Sequence, residues 1–328
     1  MSGNIFDTER MNTEELTALK QALWYILTDK PRFPIHFYKK DSHGDLDVFL
    51  SDTKLNRMEV LEMASNAYAL HNDNMNSLTP LTDFSKYNSS CEPKERYIVQ
   101  SENQYQLRVK QGDKWRHIDV TFVPSECVEF AFLYYSYGDL SQLLQMWLRS
   151  MNLELKHTGL YYELQTEGKK HLVRLTTNWY SVLDILHLPH APYKVYHLEN
   201  EEAAFEWLSE SFMFTPKMIN IKENDHRRSR PLFQAYLNYE FSNIVNNRMA
   251  TADCMHTVLT HLPEAFTLIM NAKMNALSDA SVSTKAYAIS ALKSINHFKQ
   301  SNFDNTTNLN IIDEEGYVKI RKTFQMDF

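Results

Sequence analysis

The stretch Ser42-His43-Gly44-Asp45-Leu46-Asp47-Val48-Phe49-Leu50 decides the fold, because it predicts a buried strand with two acids at its start. Leu46, Val48 and Leu50 alternate, which predicts that one face of this strand packs against a core. Asp45 and Asp47 flank Leu46, so both carboxylates point to the opposite face. Gly44 gives the chain freedom to turn sharply and lets a ligand approach the backbone. The pattern therefore predicts a pair of carboxylates presented together at a strand end.

A second predicted strand, residues 115–123, supplies a third acid. Asp119 lies between Ile118 and Val120, and an acid in such an apolar strand is costly unless it lies at an edge or binds a cation. Three acids at neighbouring strand ends repel one another, and divalent metals relieve that repulsion. Mg²⁺ prefers oxygen ligands, and a pair of such ions can activate a hydroxyl and stabilise leaving pyrophosphate. The alternative is that these acids only meet solvent, as acids at strand ends commonly do.

The elements around these strands predict a mixed sheet with helices packed on it, followed by a helical region. Hydrophobic spacing and turn residues predict helices over 13–28 (with Thr13 as N-cap), 56–71, 139–151 (with Asp139 as cap), 178–187, 200–211 and much of 231–300. Strands are predicted over 46–50, 96–109, 115–123, 153–164 and 170–176, with hairpin turns at Gln111-Gly112-Asp113 and Glu167-Gly168. Residues 72–95, rich in Asn, Ser, Thr, Asp and Pro, predict a long surface loop.

Composition limits the classes of protein that this chain can be. It has 328 residues, of which 43% are hydrophobic, and a net charge of -7, which argues against coating nucleic acid through bulk charge. Its cysteines are scattered and show no zinc spacing: Cys91, Cys127 and Cys254. The polar first ten residues do not predict a signal peptide, and no apolar run predicts a membrane span. We therefore expect a soluble, cytoplasmic protein (in the host cytoplasm if it is viral) without a membrane partner.

The order of three motifs resembles the DNA polymerase beta superfamily (family X) of nucleotidyltransferases. The strand 42–50 resembles the family's two-acid strand, and residues 116–124 are similar to its third-carboxylate strand. A third motif is similar to the family's turn that holds the sugar and base of the incoming nucleotide: Phe132-Leu133-Tyr134-Tyr135-Ser136-Tyr137-Gly138-Asp139. The resemblance extends over about 33–215.

This resemblance implies an α+β fold with a nucleotidyltransferase palm. The implied domains are an N-terminal helix (1–30), the palm (31–176) with a loop insertion at about 72–95, a small nucleotide-side subdomain (177–225) and a helical C-terminal region (226–328). The C-terminal region is expected to act as a thumb or as an acceptor-binding module.

The resemblance also implies a chemistry and its residues. Asp45, Asp47 and Asp119 are the expected catalytic residues and the ligands of two Mg²⁺ (or Mn²⁺) ions. The implied reaction transfers a nucleoside monophosphate from an NTP or dNTP to a hydroxyl, expected to be a DNA or RNA 3′ end, and releases pyrophosphate. Two alternatives stay open: a toxin-like transferase that modifies tRNA or protein, and an inactive palm that serves as a binding scaffold.

Expected nucleotide contacts follow partly from the resemblance and partly from a departure from it. Tyr134, Tyr135 and Asp139 are expected to face the sugar and base, and Gln142 the base edge. The family's Gly-Ser before the first acid is missing from 33–40. The groups expected to bind the phosphates in its place are Lys39, Lys40, Ser42, His43 and Gly44. The basic cluster Arg227, Arg228 and Arg230 either tracks a nucleic-acid backbone or forms a solvated interdomain face.

Overall fold

The protein has an α+β fold built on a mixed sheet, as the sequence predicted. A computed structural model describes residues 5–71, 88–166, 169–222, 225–241, 257–265, 267–269 and 271–272. Most of the predicted loop at 72–95, the predicted turn at 167–168 and much of the predicted C-terminal helical region lie outside the described residues.

The main sheet has four strands in the order β3-β6-β5-β4. Its strands are β3 (Leu46–Ser51), β4 (Ile98–Gln100), β5 (Gln104–Gln111) and β6 (Lys114–Val123). β3 runs parallel to β6, whereas β5 pairs antiparallel with both β6 and β4. The predicted single strand over 96–109 is wrong, because the chain turns at 101–103 and its two halves pair with each other. A short antiparallel pair precedes this sheet: β1 (Met11–Asn12) and β2 (Ser42–His43).

A second sheet is antiparallel and has three strands, not the two of the predicted hairpin. It contains β7 (Leu153–Lys156), β8 (Gly159–Thr166) and β9 (Lys169–Thr176). The extra turn falls at His157 and Thr158, and it leads into Gly159, whose φ of 138° lies in a region that favours glycine. A side chain there would also bring its Cβ within 2.5 Å of the Thr176 carbonyl oxygen.

Besides residues 88–90 and 257–261, which are helical, the described part of the chain contains eight α-helices with defined bounds. They are α1 (Thr13–Ile26), α2 (Lys54–His71), α3 (Val128–Tyr134), α4 (Leu140–Arg149), α5 (Trp179–Ile185), α6 (Ala191–Lys194), α7 (Glu201–Ser209) and α8 (Pro231–Asn238). The predicted cap at Thr13 is wrong, whereas Asp139 does occupy the N-cap position of α4, without a capping bond from its side chain. Asn12 caps α1 through a reciprocal pair of bonds with Glu15, and the Asp139 side chain accepts from Arg230 instead.

The alternation predicted for the first strand is confirmed by the way the main sheet packs. Leu46, Val48 and Leu50 lie on one face with Ile118, Val120 and Phe122, and α1 and α2 cover this face. The other face is apolar only toward the later part of β3, where Phe49 packs against Cys127 and Ala131. The start of that face is left for polar side chains.

A second core contains buried side chains from Phe130 to Ile269, contributed by α3 to α8, the three-stranded sheet, the segment 213–221 and residues 258–269. The predicted domain boundaries after 176 and 225 both fall within the stretch that builds this core, and the division into domains stays a prediction. Within the described part of the chain, every helix is too short or too polar to cross a membrane.

Candidate active site

The parallel pairing of β3 with β6 brings the predicted acids together. Asp47 is the direct register partner of Asp119, and Asp45 precedes Asp47 by two residues on the same face. Three possible ligand atoms lie within 4.8 Å of one another: a carboxylate oxygen of Asp45, a carboxylate oxygen of Asp119 and a ring nitrogen of His117. One expectation is wrong: Asp119 is not at a strand end, because β6 begins at Lys114 and extends well before the start of β3.

Two neighbours of Asp119 were missed by the sequence analysis. His117 Nε2 lies 3.0 Å from Oδ1 of Asp119, and both side chains are buried. Gln106 Nε2 on β5 donates to the same oxygen at 2.9 Å. A signal for His117 existed, since residues two apart on a strand share a face. Gln106 carried none, because its position depends on the register between β5 and β6.

The electrostatics of the site make the Asp47 carboxyl hard to ionise. Burial, followed by the charges of Asp45 and Asp119, raises the pKa of Asp47 to about 7, while Lys40 acts in the opposite direction. A set of carboxylate oxygens with one imidazole fits a divalent cation, because Mg²⁺ and Mn²⁺ take oxygen ligands and imidazole also suits transition metals. The group formed by Asp45, His117 and Asp119 can therefore hold a metal ion.

The two tyrosines at the end of α3 lie in different surroundings. The Tyr135 ring centre is 4.9 Å from that of Phe49, and the charges of Asp47 and Asp119 contribute, after burial, to raising the Tyr135 pKa to about 12. Tyr134 is instead buried in the second core, where its hydroxyl accepts from Gln142 Nε2 at 2.8 Å. The structure thus brings Tyr135 to the acids, and joins Tyr134 to Gln142.

A pocket of about 330 Å³ lies where the segment before the first acid meets the turn after α3. Among its lining residues are Lys39, Lys40 and Asp139, all predicted to contact a nucleotide. The turn itself is unusual, because Tyr137 and Gly138 have φ angles of 59° and 63°. A bulky residue in this left-handed region is strained. Two contacts hold Tyr137 in this conformation: its ring is buried, and its backbone N–H donates to the Ile35 carbonyl at 2.7 Å.

Several predicted phosphate contacts already have protein partners. Lys39 Nζ lies 2.5 Å from a carboxylate oxygen of Glu199. Ser42 Oγ accepts from Arg10 Nε at 2.8 Å, and its carbonyl accepts from Arg10 Nη2 at 3.1 Å. Gly44 has no left-handed φ, and a Cβ there would meet the Arg10 guanidinium at 3.1 Å. His43 is buried.

The arginines of the basic cluster are also engaged within the protein. Arg227 holds the Asp225 carboxylate with two bonds of 2.9 and 2.8 Å, and it donates to Gln142 Oε1 at 3.0 Å. Arg230 donates to Asp139. Arg228 Nη1 donates only weakly, at 3.4 Å, to the Ile221 carbonyl. The cluster therefore contacts the residues that were predicted to face the base.

The fold and the site together define an α+β protein with a buried carboxylate and histidine group that can bind a metal ion. No protein-family model matches the chain, and no curated protein is significantly similar to it. Among solved structures, it is similar to polymerase beta of Leishmania infantum in a ternary P/T complex, with 16% sequence identity and a TM-score of 0.34 over 55% of this chain and 74% of that chain. This likeness is weak, so the functional argument depends on the geometry of the site.

Proposed function

We propose that this protein is a metal-dependent nucleotidyltransferase that transfers a nucleoside monophosphate from an NTP or dNTP to a hydroxyl and releases pyrophosphate. The observation that carries the proposal is the placement of Asp45, Asp47 and Asp119 on one face of two parallel strands, with the pKa of Asp47 raised toward neutrality. A buried acid that resists ionisation beside two further acids is unfavourable for folding by itself and favourable for binding divalent cations.

The residues of the proposed site would bind metal, accept a proton or orient a neighbouring side chain. Asp45, Asp47 and Asp119, with His117 beside Asp119, would hold two Mg²⁺ or Mn²⁺ ions, and such ions would lower the pKa of the acceptor hydroxyl and neutralise the charge of the leaving pyrophosphate. Asp119 also takes up the proton of the acceptor hydroxyl. The amide of Gln106 fixes the orientation of Asp119 through its bond to Oδ1. Because the charges are in place before the substrates arrive, catalysis is mostly positioning and electrostatics.

The pocket that Lys39, Lys40 and Asp139 line is the proposed nucleotide site. Lys40 lines it and lies close enough to Asp47 for its charge to act on that carboxylate. Tyr135, partly exposed next to the acids, offers a ring face to the sugar or base. The acceptor in this proposal is the 3′ end of a DNA or RNA strand, and Arg228 is the arginine of the basic cluster with the weakest partner within the protein.

Radiolabelled NTPs and dNTPs offered with DNA, RNA, tRNA and protein acceptors test this proposal. We expect label on one nucleic-acid acceptor with Mg²⁺ or Mn²⁺, and a loss of at least about 100-fold for Asp119→Asn. Asp113→Asn is the matched control, because Asp113 is an exposed acid in the turn that precedes the same strand. Label on protein favours the toxin-like alternative, and metal binding without transfer to any acceptor favours the scaffold.

A further inference from the structure

Two histidines near the start of the first acid-bearing strand have buried ring nitrogens without a hydrogen-bond partner among the described residues, and His43 is buried whereas His36 is partly exposed. His43 on β2 is 2% exposed, and among the described residues neither of its ring nitrogens has a partner of good hydrogen-bond geometry, although the backbone of Lys40 lies close enough to interact with the imidazole. Its ring centre is 4.8 Å from that of His36, whose Nε2 is also buried without a partner. Burying such groups unpaired is unfavourable, so two neighbouring imidazoles in this state indicate a place where a ligand binds.

Two lysines from different elements surround this pair. Lys20 on α1 is half-buried and Lys40 is exposed, and neither has an acidic partner within 4.0 Å among the described residues. Both lie close enough to His36 and His43 for their charges to act on each imidazole. A ligand between these groups meets positive charge together with N–H donors, which selects an anion.

The neighbouring pocket indicates which anion this is. His36 and Lys40, but not Lys20 or His43, line the pocket of about 330 Å³, so the cluster borders a space large enough for a chain of phosphates. Three acids line the same pocket, and two of them are neutralised by partners: Glu199 by Lys39 and Asp139 by Arg230, with Glu201 as the third. Lysine binds phosphate as a point charge, and imidazole N–H groups add directed bonds. By contrast, Lys39 is paired with Glu199, and Ser42 is bound to Arg10.

We propose that Lys20, His36, Lys40 and His43 form a polyphosphate site that binds the phosphate tail of a nucleotide without a divalent metal ion. In the proposed transferase, on which this assignment of the ligand rests, the site lies beside Asp47 and replaces the missing Gly-Ser. Lys20 and His36 were not expected from the sequence, because they reach the site from a helix and a loop that precede the acid-bearing strand.

Isothermal titration of the full chain with inorganic tripolyphosphate in EDTA tests the site. We expect binding by the wild type that Lys20→Met and Lys40→Met each weaken by about 10-fold or more, since a bond to a charged group is lost. Lys54→Met is the matched control, because Lys54 is exposed at the start of α2. Thermal unfolding of each variant establishes that it is folded.

Several outcomes overturn this proposal. They are no binding of tripolyphosphate by the wild type in EDTA, equal affinity for orthophosphate, an unchanged affinity for Lys20→Met, and binding only of a single-stranded oligonucleotide. Failure of the proposed polyphosphate site is distinguishable from failure of the proposed transferase activity. If the protein binds tripolyphosphate but labels no acceptor, only the polyphosphate site is supported. If it labels an acceptor but does not bind tripolyphosphate in EDTA, only the transferase activity is supported.

Discussion

Replacing Asp47 with asparagine separates two effects that we assign to the acid cluster: destabilisation of the metal-free fold and binding of divalent metal. In the metal-free protein, Asp47 is a partly buried carboxylate that faces Asp45 and Asp119. The asparagine side chain has nearly the same shape as the aspartate and carries no charge. We therefore expect Asp47→Asn to stabilise the metal-free fold while it removes the stabilisation that Mg²⁺ provides.

The size and pH dependence of this effect follow from the pKa of Asp47, which is raised from 3.8 to about 7. The folded state holds the proton more tightly than the unfolded state, so the wild type loses stability as the pH rises from about 4 through about 7. At about 1.4 kcal/mol per pKa unit the limit is about 4 kcal/mol, and the solvent contact that Asp47 retains reduces this to about 1–3 kcal/mol. The variant avoids this loss at about pH 8 and gains nothing at about pH 4.

The assay is urea or thermal unfolding in EDTA at both pH values, repeated with millimolar Mg²⁺ or Mn²⁺. We expect Asp47→Asn to unfold a few degrees above the wild type at about pH 8 in EDTA, and only the wild type to gain stability with metal. Asp113→Asn, which replaces an exposed acid, should match the wild type in every condition. The reasoning is refuted if Asp47→Asn lowers the stability in EDTA at about pH 8, or if metal stabilises both proteins equally.

Two further variants test particular features of the structure. His117→Gln removes the imidazole that lies 3.0 Å from Asp119. Calorimetry should show Mn²⁺ binding weakened by about 10- to 100-fold and Mg²⁺ binding weakened less, because imidazole suits transition metals better than Mg²⁺. Equal losses of affinity for both ions would contradict a direct ligand role of His117. Gly159→Ala should lower the free energy of unfolding by about 2–4 kcal/mol, because its Cβ would lie 2.5 Å from a backbone oxygen. Gly112→Ala, in an open turn, should lower it by about 1 kcal/mol. Similar losses for the two variants would show that the chain around Gly159 relaxes.

The parts of the fold that the sequence predicted are those with a local cause. The alternation of Leu46, Val48 and Leu50 needs only the period of a strand, and it placed Asp45 and Asp47 on the opposite face. Asp119 was recognisable because an acid between Ile118 and Val120 conflicts with its apolar neighbours. The cap of α1 was misplaced by one residue, because Thr13 and Asn12 are both good caps and the choice depended on Glu15.

The features that were missed depend on which distant segments meet. Gln106 reaches Asp119 only because of one register between β5 and β6, and Lys20 reaches the histidines only because α1 packs beside β2. A shift of one residue in either strand would turn Gln106 to the other face, and nothing in its own neighbourhood fixes that register. The polyphosphate site is of the same kind, since its members come from a helix, a loop and a strand.

The same dependence on distant contacts changes how the basic cluster must be tested. Arg230 is bound to Asp139, which lines the pocket, and Arg227 is bound to Gln142. Removal of either arginine leaves a polar partner unsatisfied and disturbs the turn beside the proposed nucleotide site. A loss of activity in such a variant would therefore not show that nucleic acid is bound there. Only Arg228, whose contact with the protein is a weak bond of 3.4 Å, separates backbone binding from support of the pocket.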